Sequence, residues 1–359
     1  MNDILNVIKP AVRAMSPYGL KERKYKIKLN QNENPYDLPI WLKNEIVGEM
    51  RSLYWNRYPS FSKSRLREKL SEHLHLPSER LMVGNGSNEL LQMVFSTIFS
   101  AGKKLLIVSP TFPFYLQLAR IAEANIIHLE FEQDWSFPIE KVLQVLKDRP
   151  VDLCIVCSPN SPTGAITQTN DLIRVLESTN GLVLADEAYH EFTKSNFLKL
   201  QNNYRNLIIT RTFSKALGLA GLRIGYLIAQ PELIQEINKV KLPCNLNILS
   251  EFVAFKLLDH QSLIIENVKK IMQEKQRLIQ RMNNIKHIKV YPSETNFLMI
   301  ETPYPASQVF EALAKKGVLV RDISKYHSRL ENKLRSTVGT SAENDGLIEA
   351  LQSAITKFD

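Results

Sequence analysis

The chain has 359 residues, of which 44% are hydrophobic and 23% charged, and its formal net charge is +9 at pH 7. This length suits one large and one smaller domain, and no apolar run approaches the roughly 20 residues of a membrane-spanning helix. Lysines and arginines are scattered among acidic residues without a long basic block, which favours a basic enzyme over a nucleic-acid-binding protein. The amphipathic N-terminus lacks an apolar signal core and a cleavage site, so we expect a cytoplasmic protein.

The first two thirds of the chain predict an arm followed by an α/β layer. Residues 1–30 form an N-terminal arm that starts with an amphipathic helix. A loop rich in Asn and Pro follows at 29–39, and leucines at helical spacing predict a helix around 66–74. From residue 81 strands and helices alternate, which is typical of an α/β fold. The strands are predicted at 81–84, 104–109, 152–157, within 181–192 with Asp186 at the strand end, 207–210 and 224–229.

The last third of the chain changes character. Pro231 opens a helix, and a long periodic stretch at 247–283 predicts a pair of helices between two domains. Beyond it we expect an α+β domain with two helices and four short strands. These strands are predicted at 288–291, 295–300, 318–321 and 334–338. The predicted domains are the arm 1–30, a large domain 31–245, and a small C-terminal domain 246–359 that starts with the spanning helix.

Two of the three cysteines form a CxxC pair within an apolar segment, DLCIVCSP, that is typical of a buried strand. Positions i and i+3 of a strand point to opposite faces of the sheet. Cys154 and Cys157 therefore cannot jointly bind a metal ion or close easily as a disulfide. We interpret them as structural residues, and the odd number of cysteines suits a reducing compartment.

The segment Arg211–Gly225, RTFSKALGLAGLRIG, places one lysine among hydroxyl groups and small residues. Lys215 follows Thr212 and Ser214 closely, and Arg223 stands eight positions later. A lysine amine is a useful nucleophile when its neighbours lower its pKa, and its chemistry is then imine formation with a carbonyl. Hydroxyl groups and an arginine beside such an amine are suited to an aldehyde that carries a phosphate.

This segment resembles the lysine segment of fold-type I pyridoxal-phosphate (PLP) aminotransferases, and most closely that of the histidinol-phosphate aminotransferase family, RT-x-SK-x-x-x-LAGLR-x-GY. The resemblance implies that Lys215 carries the cofactor as an imine and that Thr212, Ser214 and Arg223 hold its phosphate. It also implies the fold: a large α/β domain with a mainly parallel seven-stranded sheet between helices, plus a smaller α+β C-terminal domain. Family members are homodimers with active sites at the subunit interface.

Further cofactor contacts follow from the same resemblance. A helix begins after the strand 81–84, and a helix N-terminus with free amides is a ready phosphate site. The family places the PLP phosphate on the equivalents of Gly86, Ser87 and Asn88, where Asn88 departs from the commoner Asp. Phe112 stands where relatives carry an aromatic residue that stacks on the cofactor ring, and it can stack without offering a hydroxyl.

The ring of the cofactor is expected to contact further side chains. The family pattern N-P-N-N-P-T-G appears here as residues 158–164, SPNSPTG. Its Asn before Pro-Thr-Gly usually bonds the ring hydroxyl, so either Ser161 or Asn160 takes this role. Asp186 matches the carboxylate that keeps the pyridine nitrogen protonated, so that the ring works as an electron sink. Tyr189 matches the tyrosine that bonds the ring oxygen.

The remaining matches concern the substrate and the second subunit. In the family the tyrosine of Arg-Tyr-Pro, here Tyr58, crosses the dimer interface to the partner's cofactor phosphate. The equivalents of Tyr18 and Asn32 lie near the substrate. An arginine in an apolar strand is costly unless it is paired, and the equivalents of Arg321 and Arg335 hold the anionic end of the substrate.

The resemblance implies a transaminase that interconverts histidinol phosphate plus 2-oxoglutarate with imidazole-acetol phosphate plus glutamate, with Lys215 as the general acid and base. Two alternatives use the same scaffold: an aminotransferase for aromatic or other amino acids, and a threonine-phosphate decarboxylase. A third is a PLP-fold regulator that binds DNA. Such proteins carry an additional DNA-binding domain, for which residues 1–30 are too short.

Overall fold

A computed structural model of the protein describes residues 4–17, 19, 23–60 and 63–358. These residues contain thirteen β-strands and twelve α-helices. The strands are β1 (Ile27–Lys28), β2 (Leu81–Gly84), β3 (Lys104–Ser109), β4 (Asn125–Glu130), β5 (Leu153–Cys157), β6 (Leu182–Asp186), β7 (Leu207–Thr212), β8 (Gly225–Ile228), β9 (Lys289–Val290), β10 (Phe297–Glu301), β11 (Val318–Leu319), β12 (Arg321–Asp322) and β13 (Lys333–Thr337). The helices are α1 (Pro10–Arg13), α2 (Ile40–Met50), α3 (Arg65–Leu74), α4 (Ser87–Ile98), α5 (Phe114–Ile121), α6 (Ile139–Asp148), α7 (Thr169–Glu177), α8 (Pro231–Asn238), α9 (Ile248–Leu257), α10 (Gln261–Asn283), α11 (Ala306–Lys315) and α12 (Ser341–Phe358).

Seven strands form the central sheet in the order β2-β8-β7-β6-β5-β3-β4. The pairs among β3 to β7 are parallel, and β8 runs antiparallel to both of its neighbours. Every residue of β7 and β8 is buried, as expected for strands covered by helices on both faces. The expected fold, an α/β layer with a mainly parallel seven-stranded sheet, is confirmed.

The two faces of the central sheet belong to different hydrophobic cores. In β5, Cys154 and Val156 pack into one core, whereas Leu153 and Ile155 pack into the other. Cys157 packs against this second core, so the two thiols of the CxxC pair lie on opposite faces. All three cysteines of the chain are free, which agrees with the structural interpretation of the pair.

The parallel strands bring several loops to one edge of the sheet. Strands β3, β5, β6 and β7 run in the same direction, so their carboxyl ends lie side by side. Ligands of open α/β sheets bind outside this edge. Asp186 is the last residue of β6, Thr212 is the last residue of β7, and Lys215 follows three positions later.

A second sheet of four antiparallel strands, in the order β12-β13-β10-β9, forms the C-terminal part. It packs with α10, α11 and α12 around a core of its own. One predicted strand, 318–321, is divided at Val320, because β11 and β12 join different sheets. Strand β11 pairs in parallel with β1, whereas β12 pairs with β13. The N-terminal residues Ile27 and Leu29 therefore pack against the C-terminal core.

Helices α9 and α10 connect the two parts, as the helix pair predicted at 247–283. Phe252 and Leu257 of α9 belong to the core of the central sheet. Along α10, Ile271 packs between the two parts beside Tyr189, and Leu278 lies in the C-terminal core. The boundaries 31–245 and 246–359 stay a prediction.

The start of the arm differs from the single amphipathic helix that was expected. A short 3-10 helix covers Ile4–Val7, and α1 covers Pro10–Arg13. Pro10 is the first residue of α1, a position that suits proline because its missing N–H would have no partner there. Proline at this position starts a new helix and breaks the expected longer one.

Candidate active site

A cavity of about 320 Å³ opens at the carboxyl edge of the central sheet, where the C-terminal sheet approaches it. Both sheets contribute to its wall. Thirteen of the residues predicted from the sequence line it: Asn32, Ser87, Asn88, Phe112, Ser161, Asp186, Tyr189, Thr212, Ser214, Lys215, Arg223, Arg321 and Arg335. The structure thus brings together residues that are up to 303 positions apart in the chain, Asn32 and Arg335 being the extremes.

Lys215 projects into this cavity from the loop after β7. Its Nζ donates a hydrogen bond to the backbone oxygen of Gln31 at 2.9 Å and lies 5.8 Å from the ring centre of Tyr189. Burial, followed by the nearby charges of Arg335 and Arg223, lowers the pKa of the lysine amine to about 7. An amine with this pKa is partly deprotonated at neutral pH, so it can act as a nucleophile and a base.

Asp186 lies at the end of β6 and is only 4% exposed. Its Oδ2 accepts a hydrogen bond from the Tyr115 hydroxyl at 2.5 Å, and its Oδ1 accepts one from the Ala188 N–H at 3.1 Å. Burial raises the pKa of the carboxyl to about 6, because these two bonds offset only part of the desolvation cost. A cationic N–H partner in the cavity would stabilise the carboxylate.

A cradle for an anion lies at the N-terminus of α4. Gly86 precedes this helix with φ 83° and, as a glycine, has no side chain to cap the helix N-terminus. Arg223, in the left-handed region with φ 56°, donates from Nη1 to Ser214 Oγ at 3.1 Å. A Cβ at residue 86 would lie 2.5 Å from Arg223 Nη2, so only glycine lets the guanidinium approach so closely. Ser87 and Asn88 of the first helical turn line the cavity beside this guanidinium.

The hydroxyl of Thr212 lies beside this cradle and is already hydrogen-bonded. It accepts from the Ser214 N–H at 3.1 Å and donates to the Ile224 backbone oxygen at 3.3 Å. Its second lone pair can still accept, but its proton is committed to the backbone. Thr212 therefore shapes the loop that carries Ser214 in addition to lining the cavity.

Ser161 and Asn160, the two candidates within residues 158–164, differ in where their side chains lie. Asn160 is buried and does not line the cavity; its side chain bonds Thr111, Pro110 and Thr163 at 2.6–3.0 Å. Ser161 lines the cavity and accepts a hydrogen bond from Arg335 Nη1 at 3.0 Å. Of the two alternatives for the ring hydroxyl, Ser161 is the residue whose side chain faces the cavity.

Arg321 and Arg335 are direct partners across β12 and β13. Arg335 also donates from Nη2 to the Asn30 backbone oxygen at 3.1 Å, and Arg321 donates from Nε to the Tyr326 hydroxyl. Within the described part of the chain, Nη1 of Arg321 is buried and has no hydrogen-bond partner. Like charges placed directly opposite in a sheet are destabilising, so an anion between them would stabilise this arrangement.

Asn32 reaches the cavity through the Asn-rich loop that precedes α2. Its Nδ2 donates to the Tyr189 hydroxyl at 2.8 Å, and its backbone N–H donates to Thr337 Oγ1 at 2.9 Å. Its φ is 55°, a region that asparagine tolerates better than most residues. Asn32 thus fixes the hydroxyl of Tyr189 at the cavity.

Besides Gly86, which precedes α4, and Asn160, two predicted residues are not among those that line the cavity. Tyr58 is 86% exposed and does not line it. Its expected role across a subunit interface stays a prediction. Tyr18 lies outside the described residues, although Gly19 beside it lines the cavity.

The sequence reasoning missed Tyr115, Gln31 and Tyr326. Tyr115 stands three positions after Phe112 at the start of α5, and this spacing is a signal that could have indicated a shared site. Tyr326 follows β12 and bonds Arg321. Gln31 acts through its backbone oxygen, for which side-chain identity gives no signal.

The fold and the site together define a fold-type I aminotransferase. The chain belongs to the aminotransferase class I and II family, whose model matches residues 24–351. It is 37% identical over 351 residues to the histidinol-phosphate aminotransferase of Chlorobium phaeovibrioides, with 97% of each chain covered.

Solved structures show the same fold. The histidinol-phosphate aminotransferase from Sinorhizobium meliloti in complex with pyridoxal-5'-phosphate has a TM-score of 0.89 at 21% identity, covering 98% of each chain. The L-threonine-O-3-phosphate decarboxylase from Porphyromonas gingivalis has a TM-score of 0.81 at 21% identity, covering 92% of this chain and 99% of that one. Fold likeness alone therefore does not distinguish transamination from decarboxylation. Among the described helices, none has the length and hydropathy needed to cross a bilayer.

Proposed function

We propose that the protein is a PLP-dependent aminotransferase that interconverts histidinol phosphate plus 2-oxoglutarate with imidazole-acetol phosphate plus glutamate. The observation that carries the proposal is a single cavity with two sites for anions. One is the cradle of Gly86 and Arg223, and the other is the pair Arg321 and Arg335. A cofactor phosphate needs one site, which leaves the other for an anionic group of the substrate. The relative at 37% identity supports the choice of substrate.

The residues present fit PLP in three respects. The close approach that glycine allows at residue 86 leaves room for a phosphate at the α4 N-terminus, with Ser87, Asn88, Ser214 and Arg223 as its partners. Burial raises the pKa of Asp186, and a pyridinium N–H beside the carboxylate would lower it again. Phe112 would stack on the ring, and Tyr189 and Ser161 would bond its oxygen. When bound, PLP supplies an electron sink for the bond that breaks at the substrate Cα.

The proton chemistry falls to Lys215. Its lowered pKa suits the amine both to hold the cofactor and, as a free base, to take the proton from the substrate Cα. The Gln31 backbone oxygen and the Tyr189 ring hold Nζ in place. Asp186 would pair with a ring N–H, and Tyr115 holds the carboxylate in orientation.

We assign the substrate anion to the arginine pair, with Asn32 in the same cavity and Tyr18 as the further partner that the family resemblance implies. Arg321 has a buried Nη1 without a partner among the described residues, and a phosphate oxygen would satisfy it. Arg335 lies opposite and bonds Ser161, so it can hold substrate and align the loop at residues 158–164.

We include a homodimer and a cytoplasmic location in the proposal. The exposed apolar side chains Tyr54, Trp55, Tyr58 and Leu242, each at least 68% exposed, suit a subunit interface better than solvent. Tyr58 would then reach the cofactor phosphate of the partner subunit. The three free cysteines suit a reducing compartment.

A panel of amines tested with 2-oxoglutarate decides between the candidate reactions. We expect glutamate to form from histidinol phosphate and not from free aromatic amino acids at a comparable rate. Threonine phosphate serves in the same panel, because the arginine pair could hold its phosphate as well. Release of CO₂ from threonine phosphate, without glutamate formation from histidinol phosphate, would establish the decarboxylase instead.

A further inference from the structure

A second cavity lies directly behind the active site, on the other side of two chain segments. Thr212 lines the active-site cavity, whereas its neighbours Arg211 and Phe213 line the second one, as alternating side chains do in extended segments. The segment after β6 divides in the same way, with Tyr189 in the first cavity and Glu191 in the second. The second cavity has about 290 Å³, close to the 320 Å³ of the first, so it can hold a small molecule.

Most of the wall of the second cavity is apolar. It is formed by side chains of α3, α10 and the loop after Lys215, including Leu70, Leu74, Leu217, Ile264 and Val268. Its mouth lies at His73, Gln261 and Ile265, of which Ile265 is 67% exposed. An apolar pocket with few polar groups at one end is the usual form of a small-molecule site.

The polar end of this cavity has two carboxyl groups beside one guanidinium. Arg211 Nη2 lies 2.7 Å from a carboxylate oxygen of Glu187 in a buried ion pair, so the positive charge of Arg211 is balanced, although Nη2 makes no hydrogen bond within the described residues. Glu191 adds a further carboxyl, whose Oε2 is buried and has no hydrogen-bond partner within the described residues. His190 Nδ1 lies 3.2 Å from that oxygen, but it also lies 3.0 Å from the Glu187 backbone oxygen.

We propose that this cavity binds a small organic cation with a compact apolar body, whose N–H groups donate to Glu191 Oε2. The apolar wall would cover the body of the ligand, and the unsatisfied oxygen would accept its hydrogen bond. An anion of the same shape would meet a carboxyl group and no uncompensated positive charge. Burial lowers the pKa of His190 well below its usual value, so this imidazole is neutral and supplies no charge for an anion.

The ionisation of Glu191 supports the same ligand. Burial raises the pKa of its carboxyl to about 8, although Arg211 acts in the opposite direction. A bound cation stabilises the carboxylate, so binding at pH 7 releases a proton to the buffer. The titratable and charged groups that face Glu191 or line the same cavity are Glu187, His190, Arg211, Tyr226 and His73.

The test uses the PLP-loaded protein and three probes of one shape: benzamidine, benzamide and benzoate. Calorimetry should show saturable benzamidine binding, weaker benzamide binding and no benzoate binding. Benzamidine carries an amidinium in place of an amine, so it does not compete for a bound aldehyde. Glu191→Gln keeps the size of the side chain and removes the charge, so it should lower the affinity for benzamidine at least about tenfold. Glu140→Gln is the matched control, because Glu140 is exposed and lines neither cavity, and it should leave benzamidine binding unchanged.

Two further measurements keep the proposal testable if Glu191→Gln folds poorly. Val268→Trp fills the cavity and should abolish benzamidine binding while the cofactor absorption band is unchanged. The binding enthalpy at pH 7 should differ between buffers of different ionisation enthalpy, which reports the released proton. Equal binding of benzoate and benzamidine, unchanged affinity in Glu191→Gln, or benzamidine density in a crystal anywhere but beside Glu191 and Phe213 overturns the proposal.

Discussion

Replacing Arg321 with alanine tests the assignment of the substrate anion site. Its Nη1 is buried without a partner among the described residues, so the guanidinium is free to bond a ligand phosphate. A hydrogen bond to a charged group contributes about 1.5 to 3 kcal/mol, which is roughly a ten- to 150-fold change in binding. Arg321→Ala should therefore lower kcat/KM for histidinol phosphate by about this factor.

The assay compares histidinol phosphate with unphosphorylated histidinol. The native protein should prefer the phosphate by at least about a hundredfold in kcat/KM, since two arginines face it. Arg321→Ala should lose much of that preference, whereas the rate with histidinol should change little. Arg321→Lys keeps the positive charge but loses the planar guanidinium with its paired N–H donors. It should therefore restore only part of the preference for histidinol phosphate.

Stability provides the control for this substitution. Arg321 lies directly opposite Arg335, so removing it relieves a like-charge contact and should not lower the melting temperature. Arg205→Ala makes the same chemical change at an exposed position, so it should change neither the preference for the phosphate nor the melting temperature. An Arg321→Ala protein that is folded and retains the full preference for the phosphate would refute the reasoning.

Three further predictions concern the cofactor. Tyr115→Phe removes the bond to Asp186 Oδ2, which should raise the pKa of Asp186 in the cofactor-free protein above about 6, so PLP binding should start to weaken at a higher pH than in the native protein; an unchanged pH dependence of PLP binding would exclude this positioning role. Gly86→Ala places a Cβ 2.5 Å from the neighbouring guanidinium and at φ 83°, so the dissociation constant of PLP should rise at least about tenfold, measured by absorbance titration. Lys215→Ala and Tyr58→Phe subunits, mixed and shown to exchange, should form hybrid dimers with one intact site, and recovery of activity above that of either variant alone is the readout. No recovery in exchanging subunits would contradict a shared site.

Much of the central sheet could be predicted because its strands are short apolar runs with clear ends. The strand at 104–109 matches β3 residue for residue, since Lys104 opens the run and Pro110 closes it. The prediction of one amphipathic helix in the arm is wrong, because Pro10 begins a separate helix. The division at Val320 depends on which distant strand each half joins, and a local pattern carries no information on that.

In the site, too, features set by neighbouring residues could be predicted, whereas features set by distant residues could not. The spacing of Thr212, Ser214 and Lys215 is local, and these residues were found together in the cavity. The pairing of Arg321 with Arg335 requires the register of two strands, and the bond from Tyr115 to Asp186 joins residues 71 positions apart. Both depend on tertiary packing, which residue types in one sequence do not specify.

The pairing of β1 with β11 has a consequence for engineering new substrate preferences. Ile27 and Leu29 pack in the C-terminal core, and the residues that follow lead straight to Gln31 and Asn32 in the active site. The C-terminal core is therefore built from two separate segments of the chain. A chimera that exchanges only the C-terminal segment would set a foreign β11 against the native β1 and misplace the backbone oxygen that holds Lys215. A graft that transplants both segments together keeps the matching interface.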